Sequence, residues 1–213
     1  MKNFIFDIDG TLLDTEAMYM KSLQKVLTAR GIDRPYEALT QTFGIPSRDA
    51  LVALAVPEAD IETIMAAWRD MIPHFQQEVR VYPGVTKMLA ALNDLAGVSV
   101  AVMTSKQKYE LKRDMAPFGL QRYFSEFVVA EDAKRGKPAP DPILVAMARL
   151  KAEPEETVYI GDTQYDLQAA HAAGIKFGLV AWGAKNQPGV AASDYVFAFP
   201  EEIVPLASEL NES

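Results

Sequence analysis

The sequence predicts an α/β protein with a doubly wound parallel sheet, interrupted after its first strand by an all-helical insert. Three observations carry this. The chain opens on the apolar run Phe4-Ile5-Phe6, short β-rich runs alternate with helical stretches after residue 80, and residues 15–80 show helical periodicity without a convincing strand. Strands separated by helices need crossover connections, and crossovers make neighbouring strands parallel.

Taken in order, Phe4–Phe6 reads as a buried strand that runs into Asp7-Ile8-Asp9-Gly10-Thr11. Two carboxylates at a strand tip face a desolvation cost unless something positive sits between them, although a polar turn closed by Asp9-Gly10 is the plainer reading of these residues alone. The insert follows. "TEAMYMKSLQKVLTARG" opens at Thr15 and closes at Gly31, and "PEADIETIMAAWRDMI" starts at Pro57, so the segment reads as a helical lid with hinges near 12–15 and 79–83. Beyond it, residues 98–103, 127–129, 157–160 and 177–182 read as strands, with a weak sixth at 195–197. Helices lie between them: 84–96 follows Pro83 and stops at Gly97, and "DLQAAHAAG" stops at Gly174. There is no internal repeat and no low-complexity tract.

Bulk properties narrow the function. A chain of 213 residues, 49% apolar and 23% charged, suits one large domain or one domain with a smaller insert. A net charge of -8 speaks against non-specific nucleic-acid binding, which needs a basic surface. With no cysteine, disulfides, thiolate catalysis and Cys-based zinc sites are excluded, which fits the cytoplasm. No run of about 18 apolar residues suggests a membrane span.

Chemistry-bearing residues fall at or after successive strands: Asp7 and Asp9, then Thr104 and Ser105, then Lys137, then Asp162 and Asp166. A parallel sheet gathers its carboxyl ends, so these sites form one cluster. Three carboxylates suit a hard cation such as Mg²⁺, and a hydroxyl with an ammonium suits phosphoryl oxygens. With His74 and His171 far from the strand ends in sequence, a carboxylate is the obvious nucleophile. Each residue also has a plainer reading. Thr104 or Ser105 could cap the helix "KQKYELKRDM", Lys137 could be one of three solvated bases in "KRGKPAPDP", Asp162 could cap the next helix with Asp166 in its first turn, and His171 could be surface or packing. Two phosphate motifs are ruled out: Glu131 and Pro138 break a Walker A reading of "RGKP", and no G-x-G-x-x-G follows a strand.

These residues resemble a known family. "DIDGT" at 7–11, "VMTS" at 102–105, "GKPAPDP" at 136–142 and "GDTQYD" at 161–166 look like the four ordered motifs of the haloacid dehalogenase superfamily, in the branch of phosphoglycolate phosphatases, β-phosphoglucomutases and pyrophosphatases. The resemblance implies a Rossmann-like core of residues 1–14 and 81–213 with a small helical cap of residues 15–80. It implies Asp7 as the nucleophile that forms an aspartyl-phosphate and Asp9 as the general acid/base. Mg²⁺ would be held by Asp7, the backbone carbonyl of Asp9 and Asp162, with Asp166 in support, while Thr104, Ser105 and Lys137 bind the phosphoryl group. Dehalogenases proper lack the second acid of the first motif, so the presence of Asp9 favours phosphoryl chemistry. Mutases of the branch usually carry a His after the first motif, where this chain has Tyr19, and an Arg three residues after a cap-loop Gly, where Gly44 is followed by Arg48 one place later. Substrate choice is expected from Glu16, Tyr19 and Arg48, the last as partner for a second anionic group. The expected substrate is a small phosphorylated metabolite, hydrolysed by a monomer or weak homodimer. A phosphosugar mutase and a non-catalytic phosphate-binding module are the alternatives.

Overall fold

The computed structural model describes residues 1–183 and 190–208. By its contacts the chain divides into two compact units, Met1–Leu13 with Val81–Ser213, and Asp14–Arg80.

The first unit is an α/β layer structure. Strand β1 (Asn3–Phe6) is followed at the unit boundary by β2 (Leu13–Asp14), then by four helices of the second unit, α1 (Glu16–Thr28), α2 (Tyr36–Thr40), α3 (Ser47–Ala53) and α4 (Glu58–Met71), and by β3 (Arg80–Val81). Strands β2 and β3 pair as a two-stranded ribbon where the chain leaves and re-enters the α/β unit. Next come α5 (Val85–Asn93), β4 (Ser99–Met103), α6 (Lys108–Met115), β5 (Glu126–Val128), α7 (Asp141–Leu150), β6 (Thr157–Gly161), α8 (Gln164–Ala172), β7 (Lys176–Val180), β8 (Tyr195–Phe197) and α9 (Pro205–Ser208).

Six strands form one sheet in the order β5-β4-β1-β6-β7-β8, and every pair is parallel. Strand β1 is therefore central. Phe4 stands beside Val100 on one side and Val158 on the other, and all four β1 residues are buried. A strand covered on both faces has no use for polar alternation, which is why Phe4-Ile5-Phe6 reads as a continuous apolar run; burying each of these side chains stabilises the fold by about 1.5–3 kcal/mol. Ile5 joins a core with Ala101, Met103 and Tyr159 from the sheet and Ile143, Ala146 and Leu167 from α7 and α8. The chain leaves β1 towards β4 but leaves β6 towards β7, so the connections diverge between β1 and β6, where an open parallel sheet forms its crevice.

The predicted strands occur with small shifts at their ends, and the weak sixth is a full member of the sheet. One end differs instructively. The run read to Trp182 stops at Val180, and the indole Nε1 of Trp182 donates to the Thr11 carbonyl at 3.0 Å.

In the helical unit, α1 buries Leu23, Val26 and Leu27, and α4 buries Ile61, Ile64 and Trp68. These spacings of three and four make one apolar stripe per helix. Trp68 Nε1 donates to the Tyr19 carbonyl (3.1 Å) and Ser22 Oγ (3.0 Å), which explains a fully buried serine in α1. Helices α2, α3 and α4 each begin directly after a proline, namely Pro35, Pro46 and Pro57. None of the described helices is long and apolar enough to cross a membrane.

Candidate active site

Asp7 is the first residue past β1, and its backbone N–H donates to the Ile160 carbonyl of β6 at 2.9 Å. The ladder therefore continues one residue beyond the strand and fixes the Cα of Asp7 against its neighbour. The turn that follows needs Gly10, which has φ +73° and whose missing Cβ would lie 2.2 Å from Asp162 Oδ2. Only glycine lets the first loop approach the carboxylate after β6 so closely. A second glycine completes the fit: a Cβ on Gly183 would lie 1.6 Å from the Gly10 carbonyl oxygen.

Asp7, Asp162 and Asp166 are all buried, and one carboxylate oxygen from each lies within 4.8 Å of the others. One ammonium meets them. Lys137 Nζ is 2.7 Å from Asp166 Oδ1 and 3.1 Å from Asp7 Oδ1, with its side chain 9% exposed. Lys137 stands nine residues beyond the end of β5, and it is placed by these partners rather than solvated with the other bases of its loop.

Asp166 is saturated. Its Oδ2 accepts from the backbone N–H (2.9 Å) and hydroxyl (2.6 Å) of Thr163, and its Oδ1 accepts from Lys137 and from the Tyr159 hydroxyl at 3.1 Å. The Thr163–Asp166 exchange is a capping box at the start of α8, so Thr163, not Asp162, caps this helix. Asp162 is left pointing at the Gly10 loop, where Thr11 Oγ1 donates to it at 3.3 Å. The geometry thus divides the two acids: Asp166 holds Lys137, and Asp162 stands beside Asp7.

Thr104 does not cap the helix after β4. Its Oγ1 accepts from Lys106 N (3.2 Å), its own N–H continues the β4–β5 ladder to Val128 O (3.0 Å), and α6 begins later with Gln107 N donating to Glu110 Oε2. The Thr104 side chain stays buried in the cluster of strand ends, whereas Ser105 is exposed.

Electrostatics match this crowding. Burial pushes the Asp7 carboxyl up to about 7, with Asp166 and Asp9 adding to the rise and Lys137 opposing it. Burial, then Asp166 and Asp7, hold the Asp162 carboxyl well above the ordinary carboxylate range. For Lys137, burial works against the charge but Asp166 and Asp7 outweigh it, and the ammonium is held above its ordinary range. Among the described residues, three buried acids with one lysine thus leave uncompensated negative charge, which a hard divalent cation with oxygen ligands fits.

Three residues that sequence reasoning missed complete the surroundings. Tyr159, read only as a strand residue, carries its hydroxyl to Asp166 and to the Met103 carbonyl at 3.2 Å. Lys106 and Asp114 are both buried, and Lys106 Nζ reaches Asp9 Oδ1 at 2.9 Å and Asp114 Oδ2 at 2.8 Å. A basic residue beside the second motif was visible in the sequence, but its partner eight residues on was not.

In the helical unit, the Tyr19 ring packs against Phe43 and edge-on against Trp68, with centroids 6.3 and 6.4 Å away. Glu16 is half-buried near Tyr36, whose hydroxyl is raised by burial and then by the charge of Glu16. Arg48 is exposed and held by Glu62 at 2.6 Å and by Glu58, so an anionic group reaching it must displace two carboxylates. His74 is exposed, and His171 pairs with Asp194 at 3.0 Å in a surface cluster with Lys176.

The sequence model of haloacid dehalogenase-like hydrolases matches residues 4–180. The phosphoglycolate phosphatase of Xylella fastidiosa is 31% identical over 195 residues, covering 87% of this chain and 82% of that one. A PpaX protein of Caldanaerobacter subterraneus, provisionally assigned as a pyrophosphatase, is 32% identical over 180 residues, covering 84% and 80%. Among solved structures, a Lactobacillus plantarum protein provisionally assigned as a phosphoglycolate phosphatase superposes with a TM-score of 0.87 at 26% identity, covering 96% of this chain and 98% of that one.

Proposed function

The chain belongs to the haloacid dehalogenase-like hydrolase family, and we propose that it is a Mg²⁺-dependent phosphatase of small phosphorylated metabolites, acting through an aspartyl-phosphate on Asp7. The observation that carries this reading is a buried carboxylate at the tip of the central strand, 3.1 Å from a lysine and beside two further acids. In the first step an Asp7 oxygen bonds to phosphorus while the bond to the leaving oxygen breaks, and Asp9 gives that oxygen its proton. In the second, water attacks the same phosphorus, Asp9 takes the water's proton, and the bond to Asp7 breaks to release inorganic phosphate. Lys137 and the Thr104 hydroxyl bind the phosphoryl oxygens through both steps, and Asp166 keeps Lys137 aimed at Asp7. Asp7, Asp162 and the backbone carbonyl of Asp9 would hold Mg²⁺, which when bound neutralises charge on the transferring group.

Water is the proposed final acceptor. A mutase must shield its aspartyl-phosphate from water, and Tyr19, where mutases of the branch usually carry a His, is packed between Phe43 and Trp68. A tyrosine with an ordinary pKa of about 10 is a poor proton carrier near neutrality. Phosphoglycolate and pyrophosphate are the first substrates to assay, by analogy with the relatives named above.

The deciding experiment is a phosphatase assay on 4-nitrophenyl phosphate with Mg²⁺ and with EDTA. Turnover should require the metal and vanish in Asp7→Asn with an unchanged far-UV circular dichroism spectrum; full activity of that variant rejects the covalent step. Incubation with β-glucose 1-phosphate and a trace of the 1,6-bisphosphate should yield inorganic phosphate or nothing. Accumulating glucose 6-phosphate would assign the chain to the mutases.

A further inference from the structure

Lys106 is an ammonium with 2% of its side chain exposed, inside a protein whose reaction does not yet use it. Its backbone is pinned on both sides: its N–H donates to Thr104 Oγ1 at 3.2 Å, and its carbonyl accepts from Ala130 N at 2.9 Å. The side chain then spans from the loop after β4 to Asp9 Oδ1 (2.9 Å) and Asp114 Oδ2 (2.8 Å). Asp114 is fully buried on α6 and gripped again by Arg113, whose Nε is 2.6 Å from Oδ1 and whose Nη2 is 2.9 Å from Oδ2. Burial alone raises the Asp114 carboxyl, but Arg113 and Lys106 outweigh it and hold it below the ordinary range, as a fixed anion.

A buried ion pair is a poor way to gain stability, because apolar residues of similar volume often do as well or better. Asp114 is gripped by both Lys106 and Arg113, and Lys106 reaches past it to a second carboxylate. That second carboxylate is Asp9, whose side chain is 25% exposed, whereas those of Lys106 and Asp114 are 2% and 0% exposed. The group therefore has the form of an anchored cation presented to one carboxylate at the strand tip.

We infer that Lys106, backed by Asp114 and Arg113, is a positioning residue that holds the Asp9 carboxylate where the leaving oxygen and the attacking water meet it. The inference rests on the phosphatase reading and deepens it, giving the general acid/base a dedicated support as Asp166 supports Lys137. Asp9 still gives and takes the proton; Lys106 acts only through the place it gives Asp9.

The test uses the intact chain with Mg²⁺ and two substrates that differ in their need for an acid. 4-Nitrophenol leaves readily without a proton, whereas phenol, the weaker acid, leaves slowly unless one is delivered. Lys106→Met should lower kcat/KM for phenyl phosphate on the order of 10²-fold while lowering it for 4-nitrophenyl phosphate by less than about fivefold. Lys106→Arg, which keeps the charge, should recover much of the loss. In an Asp9→Asn background the further substitution Lys106→Met should cost no more than about twofold, since a residue that acts through Asp9 has nothing left to place. Equal losses on both substrates, or losses that add to those of Asp9→Asn, would mean a merely structural pair and overturn the inference. If Lys106→Met does not fold, Asp114→Asn is read in the same way, with the same preference for phenyl phosphate expected and parallel losses counting against. Should the wild type turn over neither ester, the phosphatase reading falls and this inference with it. An active wild type, an inactive Asp7→Asn and a Lys106→Met variant without substrate preference would overturn this inference alone.

Discussion

Lys137 in the α/β unit and Arg48 in the helical unit are each a cation gripped by two carboxylates, but they sit in different solvents. The Lys137 side chain is 9% exposed and its partners Asp7 and Asp166 are 7% and 0% exposed, whereas Arg48 is 45% exposed and its partners Glu58 and Glu62 are 71% and 75% exposed. A buried group of this kind has given up hydration that only exact partners replace, so it tolerates one arrangement. The exposed group is screened, and its partners can be exchanged for water or for another anion at little cost. The same two-carboxylate grip is thus a fixed fitting in one unit and a replaceable one in the other.

The largest expected effect tests the buried side. Lys137→Met leaves Asp7 and Asp166 facing each other without their cation and should destabilise the protein by about 3–5 kcal/mol in urea unfolding without metal. Added Mg²⁺ should restore part of it. A loss below about 1 kcal/mol would put Lys137 in the class of Arg48 and break the comparison.

Next is a steric version of the same contrast. Gly183→Ala drives a methyl group into the Gly10 carbonyl, and overpacking of this kind costs about 1–3 kcal/mol. Because the obstacle is the backbone of the Asp7–Thr11 loop, kcat for 4-nitrophenyl phosphate should fall together with the melting temperature. Unchanged kcat would show that this loop absorbs the shift freely.

Asp194 sharpens the comparison, since it lies in the α/β unit yet away from the cluster of strand ends. Burial raises its carboxyl, but Lys176, the Phe177 N–H and His171 together hold it down at about 2, below its ordinary 3.8. A folded value below the unfolded one means stability that is present above the unfolded pKa and is lost as pH falls through the folded one. Asp194→Asn should therefore melt below the wild type at pH 7, with the gap closing between about pH 4 and pH 2. A gap that stays constant to pH 2 would show that the carboxylate charge contributes nothing there.

The smallest effect is expected at Arg48. Arg48→Ala should change stability by no more than about 0.5–1 kcal/mol. It should raise the KM only for substrates that carry a second anionic group, and an unchanged KM across a panel of such substrates would leave Arg48 as a helix-surface residue.

Much of the sheet was legible because a parallel strand covered on both faces must be apolar throughout, and Phe4–Phe6, Val100–Met103 and Val158–Ile160 have no other reason to be. The ribbon of β2 and β3 was not legible, since two-residue strands carry no period. The candidate site was legible wherever a residue stands at a strand tip, as Asp7, Thr104 and Asp162 do. It was illegible where placement depends on contacts far along the chain. The Tyr159 hydroxyl reaches into the site from a position that strand alternation assigns to the core, and Lys106 finds Asp114 two helical turns later. Arg48 shows the converse: its charge was plain in the sequence, but the two glutamates that already hold it were not.

The central position of β1 has a dynamic consequence. Its amides and carbonyls are shared with β4 on one side and β6 on the other, and the ladder to β6 extends through Asp7 N. An edge strand such as β5 or β8 can fray by itself, but β1 is released only when both halves of the sheet come apart. The amide of Asp7 should then exchange with deuterium only through global unfolding, with a protection free energy equal to the stability of the whole unit and the same denaturant dependence. Asp7 thus follows directly on the strand expected to open last, so partial unfolding should leave its backbone in place for as long as the sheet exists.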